Sequence, residues 1–128
     1  MPRIETSFSL QGETASANRA HMTALLAQVK DCEARTRLKS ESARERFAKR
    51  QQLLPRERLG LLLDPGAPFL ELSTLAGLGL DNPDLAKSVP GGGIIAGIGF
   101  VSGVRCLVMA NDSGIDAGAL QPMGLDKL

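Results

Sequence analysis

From Ser16 onward the apolar positions Met22, Leu25, Leu26, Val29 and Cys32 recur at spacings of three and four. That period puts them on one stripe of an amphipathic helix. The stretch "KSESARERFAKRQQ" continues with good helix formers after a break near Ser40–Ser42, where either serine could cap a new helix. Leu53-Leu54-Pro55 interrupts the pattern, and Pro55 suits the first turn of a further helix, "PRERLGLLLD", that stops at Asp64-Pro65-Gly66. An amphipathic helix without a visible partner implies docking onto the rest of the protein or onto another subunit.

Past Pro65 the style changes. "PFLEL" is short and apolar, and "STLAGLGLDNPDLAKSVPGGG" reads as an ordered loop. Two apolar runs then flank Ser102-Gly103, which predicts a hairpin of Ile94–Val101 and Val104–Ala110. Gly97 and Gly99 fall on one strand face and would let another backbone or a helix approach closely, while Gly91-Gly92-Gly93 would free the chain ahead of the strand. "AND", Ala110 to Asp112, ends the second strand in a polar turn, and a helix begins near Pro122–Met123. A domain seldom finishes on a helix cut short after its first hairpin, so an incomplete chain is expected.

The glycines do not make a nucleotide loop. Their spacing is G-x-G-x-x-x-G, a strand and not a helix follows, and no G-K-[ST] is present. No run approaches the ~18 apolar residues that span a bilayer, and the N-terminus lacks a signal-peptide core, which points to a cytoplasmic protein or one with an unread organelle address. Cys32, Cys106 and the single His21 offer neither a disulfide framework nor a metal set.

Charge adds an asymmetry. Residues 1–58 hold 12 Lys/Arg against 7 Asp/Glu, whereas residues 59–128 hold 3 against 7. The densest basic stretch, Arg35 to Arg58, could meet phosphates, or it could be a solvated helix face laced with ion pairs. With four Phe and no Tyr or Trp, no stacking platform for nucleic acid is visible.

The order of "LLPRERLGLLLDPGAPFLEL" (53–72), "VPGGGIIAGIGFVSGVRCLVMAND" (89–112), a Gly-containing loop and Pro122 resembles the start of the carboxyltransferase (β) subunits of biotin-dependent acyl-CoA carboxylases. Within that family it is most similar to the methylcrotonoyl-CoA and geranoyl-CoA branch. The resemblance implies an α/β chain: N-terminal helices over 1–52, then over 53–128 the start of an N-domain with the crotonase-like (ClpP/crotonase) superfold. It implies carboxyl transfer from biotin, supplied by an α-subunit partner, to the γ-carbon of a branched unsaturated acyl-CoA, within a homo-oligomer of β-subunits. Composition and pattern add no metal, no nucleic acid and no membrane to these expectations.

In the family, paired backbone N–H groups stabilise the enolate oxygen. Those elements lie downstream of this sequence, so no catalytic residue is assigned and the chain alone is expected to be inactive. The resemblance assigns the CoA-lining loop to Asn111–Pro122, with Asn111, Asp112, Ser113, Gly114 and Gly118 as contacts, and offers Lys49, Arg50, Arg56 and Arg58 for the CoA phosphates. The competing roles are structural: Asp112 capping its turn, and Arg56 and Arg58 pairing with Glu57 or Asp64. Gln51-Gln52 stands where many members have Gly-Lys. "GIDAGALQP" lacks the lysine and tyrosine pair of methylcrotonoyl-type loops, which favours geranoyl. The alternative to an enzyme part is a short, non-catalytic subunit-docking or CoA-binding module.

Overall fold

The computed structural model describes residues 9–127. Contacts divide the chain into two compact units, one ending at Asp31 and one beginning at Cys32. The first is a helical stretch, the leading part of α1 (Glu13–Glu41). Its expected stripe is present as a helix, but Met22, Leu25, Leu26 and Val29 are all exposed.

The second unit starts with the last turns of α1, followed by α2 (Arg44–Ala48) and α3 (Pro55–Leu62). The break falls at Ser42-Ala43, yet neither serine caps α2. The Ser42 hydroxyl donates to the Lys39 carbonyl (2.6 Å), and Ser40 is occupied elsewhere. Pro55 opens α3 as expected, where its missing N–H costs nothing. The Leu54 N–H just ahead donates to the Glu57 carboxylate (2.9 Å), and Arg44 holds that carboxylate from the other side (2.7 Å).

Three strands form an antiparallel sheet in sequence order: β1 (Leu70–Glu71), β2 (Ile94–Val101) and β3 (Val104–Asn111). The β2–β3 register runs from Ile94 opposite Asn111 to Val101 opposite Val104. This leaves Ser102 and Gly103 as the turn, both with positive φ (52° and 76°), the backbone a tight hairpin demands. Asp64, just beyond α3, fastens it: its carboxylate accepts the Ser102 N–H (2.6 Å) and the Gly103 N–H (2.7 Å).

One sheet face builds the core. Leu59 of α3 packs with Ile95 and Val108, ringed by Leu63, Phe69, Val101, Cys106 and Ala110. Gly97 lies under the Phe69 ring, where a Cβ would sit 2.6 Å from its Cε2. The close neighbours that strand face admits are the Phe69 ring and, 2.7 Å from the same Cβ position, the carbonyl oxygen of Leu70 in β1, so a side chain and a backbone both approach. Gly91, Gly92 and Gly93 all take positive φ (101°, 64° and 72°), so the triplet fixes a sharp left-handed turn instead of loosening the chain. Beyond β3 come a one-turn 3₁₀ segment, Asp116–Gly118, and α4 (Pro122–Lys127). No described helix is long and apolar enough to cross a membrane.

Candidate functional site

The loop after β3 is braced from beneath. Asp112 is 1% exposed. Its N–H donates to the Gly93 carbonyl (2.7 Å), and its Oδ1 accepts the Ser40 hydroxyl (2.6 Å) and the Gly114 N–H (3.2 Å). Its own carbonyl accepts the Ile115 N–H (2.9 Å). Asp112 thus shapes the loop from inside through Oδ1, while its Oδ2 is buried without a hydrogen-bond partner among the described residues. Gly114 is also buried, and a Cβ there would lie 2.5 Å from Ser40 Oγ and 2.8 Å from its carbonyl oxygen. The missing side chain lets α1 approach the loop.

The neighbours of these two residues face outward. Asn111 is exposed, and its amide donates to the Gly118 carbonyl (3.1 Å), tying the two ends of the loop. Ser113 is half-buried, and its carbonyl accepts from Arg46 (3.1 Å). Asp116, Ala117 and Gly118 follow with φ of 43°, 55° and 88°. Left-handed backbone at the two non-glycine residues costs each about 1 kcal/mol. Gln121 steadies the turn by donating to Asp116 (3.3 Å).

The four basic residues separate into three situations. Arg56 is committed to structure: its guanidinium grips Glu71 with two bonds (2.9 and 2.7 Å), and Arg37 approaches the same carboxylate (3.7 Å). Burial alone would push Glu71 up. The bonds from Arg56, helped by the charges of Arg56, Arg37 and Lys127, win and hold its carboxyl below the ordinary value. Burial likewise opposes the Arg56 charge, but Glu71 and then Asp112 raise its pKa nonetheless. The structural role foreseen for Arg56 is present with a different partner, because Glu57 is taken by Arg44 and Asp64 by the hairpin turn.

Lys49 and Arg50 sit in the exposed turn after α2 and line neither of the clefts beside the loop. Arg58 is exposed and, among the described residues, has no ion-pair partner. It lines both of those clefts. One, of about 500 Å³, also takes in Phe47 and Ser113, and the other, of about 360 Å³, takes in Leu62, Met109 and Asn111. The structure therefore sets Arg58 beside Ser113 in one cleft and beside Asn111 in the other, and Lys49, Arg50 and Gly114 line neither; Arg56 and Asp112 meet instead at a small cavity of about 20 Å³. Gly118 serves the turn.

Three contributors escaped the sequence reading: Ser40, Arg46 and Glu71. Glu71 had a signal, a lone acid inside the apolar "PFLEL" close after a basic helix. Arg46 had one too, one helical turn from Arg50 in the same basic run. Ser40 had none. Among the described residues no group of three or more His, Cys, Asp or Glu gathers where a metal could be held.

Helices clasped to a hairpin whose far end feeds a braced polar loop define an α/β segment with a loop-borne site. Its relatives are known. A family model described as the carboxyl transferase domain matches residues 47–128. The biotin-dependent 3-methylcrotonyl-coenzyme A carboxylase beta1 subunit of Mycobacterium tuberculosis is 49% identical over 88 residues, 69% of this chain and 16% of that protein. The mitochondrial methylcrotonoyl-CoA carboxylase beta chain of Dictyostelium discoideum is 39% identical over 111 residues, 86% of this chain and 18% of its own. Among solved structures, the geranyl-CoA carboxylase beta subunit of P. aeruginosa superposes with a TM-score of 0.87 at 51% identity, covering 98% of this chain and 23% of that one. The chain belongs to the carboxyl transferase domain family and carries the opening elements of its crotonase-like fold. It spans less than a quarter of the length of these relatives.

Proposed function

We propose that this chain supplies part of the acyl-CoA surface of the carboxyltransferase subunit of a biotin-dependent acyl-CoA carboxylase, with geranoyl-CoA preferred over 3-methylcrotonoyl-CoA. The single observation that carries the reading is the close likeness, over nearly the whole chain, to the geranyl-CoA carboxylase subunit. The carboxylate comes from biotin on a partner α-subunit, and the β-subunits assemble with one another in the cytoplasm.

The chain's own residues bind and orient. Arg58 offers a free guanidinium whose planar fork suits a phosphate of CoA. Ser113 lines one of its two clefts and Asn111 the other, and each supplies neutral hydrogen bonds to the pantetheine or nucleotide. Leu120, exposed in the loop, adds an aliphatic wall suited to a terpenoid chain.

The test is the full-length subunit assembled with its biotin-carrying partner, assayed for carboxylation of geranoyl-CoA and 3-methylcrotonoyl-CoA. A higher kcat/KM for geranoyl-CoA is expected, and no carboxylation of either overturns the reading. Arg58→Ala should raise KM for acyl-CoA about tenfold with kcat retained, because a ground-state charge contact is lost.

A further inference from the structure

The last turns of α1 precede the residues matched by the family model, yet their side chains reach far into it. Glu33 accepts the Thr74 hydroxyl (2.8 Å), the Thr36 hydroxyl donates to the Pro90 carbonyl (3.1 Å), and the Ser40 hydroxyl donates to Asp112 (2.6 Å). Spacings of three and four put these residues on one helix face. It is a polar face, and Thr36 and Ser40 are buried in it. Through it one helix touches the loop after β1, the segment before β2 and the loop after β3.

Of the three contacts, the one at Ser40 bears on the site. Ser40 is 3% exposed, and its hydroxyl and backbone together fill the space that a side chain on Gly114 would need. Its hydroxyl is the shortest donor to Asp112 Oδ1, and the other oxygen, Oδ2, is buried with no hydrogen-bond partner among the described residues. Without that hydroxyl, the Asp112 side chain keeps only the longer Gly114 N–H. A buried carboxylate left so poorly satisfied turns toward new donors or toward water. Asp112 is the first residue beyond β3, so its movement carries Asn111 and Ser113, the residues on either side.

We infer that Ser40 is a positioning residue for acyl-CoA binding. From a helix outside the matched family region it locks the Asp112–Gly114 turn, and thereby holds Asn111 and Ser113 beside Arg58. The inference rests on the reading of the 111–122 loop as CoA-lining, and it names the group that sets the shape of that loop.

The test uses the full-length subunit with its biotin-carrying partner. Ser40→Ala should raise KM for geranoyl-CoA about tenfold, leave kcat within about twofold, and speed amide exchange across 111–118. Thr36→Val removes a buried hydroxyl from the same helix face without touching that loop. It should lower Tm and leave KM unchanged. If Ser40→Ala lowers Tm as Thr36→Val does and KM stays at the wild-type value, Ser40 is a structural residue only and the inference is overturned. Amide exchange of the wild-type subunit with and without geranoyl-CoA separates the two ideas. Failure of the ligand to protect 111–122 overturns the CoA-lining reading itself, and the positioning role with it.

Discussion

Replacing Glu71 by glutamine keeps the shape of the side chain beneath Arg56 and removes its charge. In the wild type two N–H groups of Arg56 meet two carboxylate oxygens at 2.9 and 2.7 Å, and the Glu71 side chain is 13% exposed. Glutamine can accept one of those bonds but turns an amide N–H toward the other donor. One charge-assisted bond is lost, a loss of about 1.5–3 kcal/mol when buried. The guanidinium keeps some contact with water, since its side chain is 28% exposed, which places the expected cost near the lower end, about 2 kcal/mol. Glu71 pairs with Gly97 across the β1–β2 ladder, and the Leu72 N–H donates to the Ala96 carbonyl (2.7 Å), so local opening there is readable by amide exchange. At neutral pH the Leu72 amide should exchange about 30-fold faster in Glu71→Gln.

The effect should depend on pH with a definite sign. The folded state depresses the Glu71 pKa below its ordinary 4.5, so its stabilisation is present above that value and is lost as pH falls through the lower folded value. After correction for intrinsic exchange, the gap between wild type and Glu71→Gln should therefore close in acid. A gap under threefold at pH 7, or one that widens in acid, would refute the account of Glu71 as a charged clamp on Arg56.

Two other substitutions probe the sheet. Gly97→Ala drives a Cβ into the Phe69 ring and against the Leu70 carbonyl oxygen, and should destabilise by about 1–3 kcal/mol, seen as a lower Tm, whereas an unchanged Tm would mean that Phe69 and β1 both yield freely. Asp64→Ala strips two N–H partners from the hairpin turn and should cost about 1–2 kcal/mol, with faster amide exchange at Ser102 and Gly103 while Leu59 stays packed.

The hairpin was legible because each of its signals is local: alternation on either side, and Ser-Gly where positive φ is needed. α3 was legible for the same reason, with Pro55 at its first turn and Asp64-Pro65-Gly66 after it. The site was only half legible. Sequence shows that Arg56 and Arg58 carry charge, but the partner that takes Arg56 out of use is 15 residues away, in a strand of two residues. Asp112 and Gly114 were assigned to the CoA-lining loop by resemblance, and nothing in the sequence shows that both are buried. Their burial comes from a helix more than 70 residues earlier. The apolar stripe of α1 drew attention away from the face that the part of α1 in the second unit packs with threonine and serine. A hydrophobic pattern cannot mark a contact made through hydroxyl groups.

That hydroxyl-bearing face decides where the chain can be divided. A recombinant piece begun at residue 47, where the family match starts, would discard Glu33, Thr36 and Ser40. Asp112 would then meet solvent on the side where Ser40 stood, and the three connections now fastened to one helix would each drift separately. Such a piece would retain the sheet partners of β2 and β3 and lose the helix that braces the loop after them. The practical boundary for dissecting this subunit lies upstream of Cys32, ahead of every residue of that face.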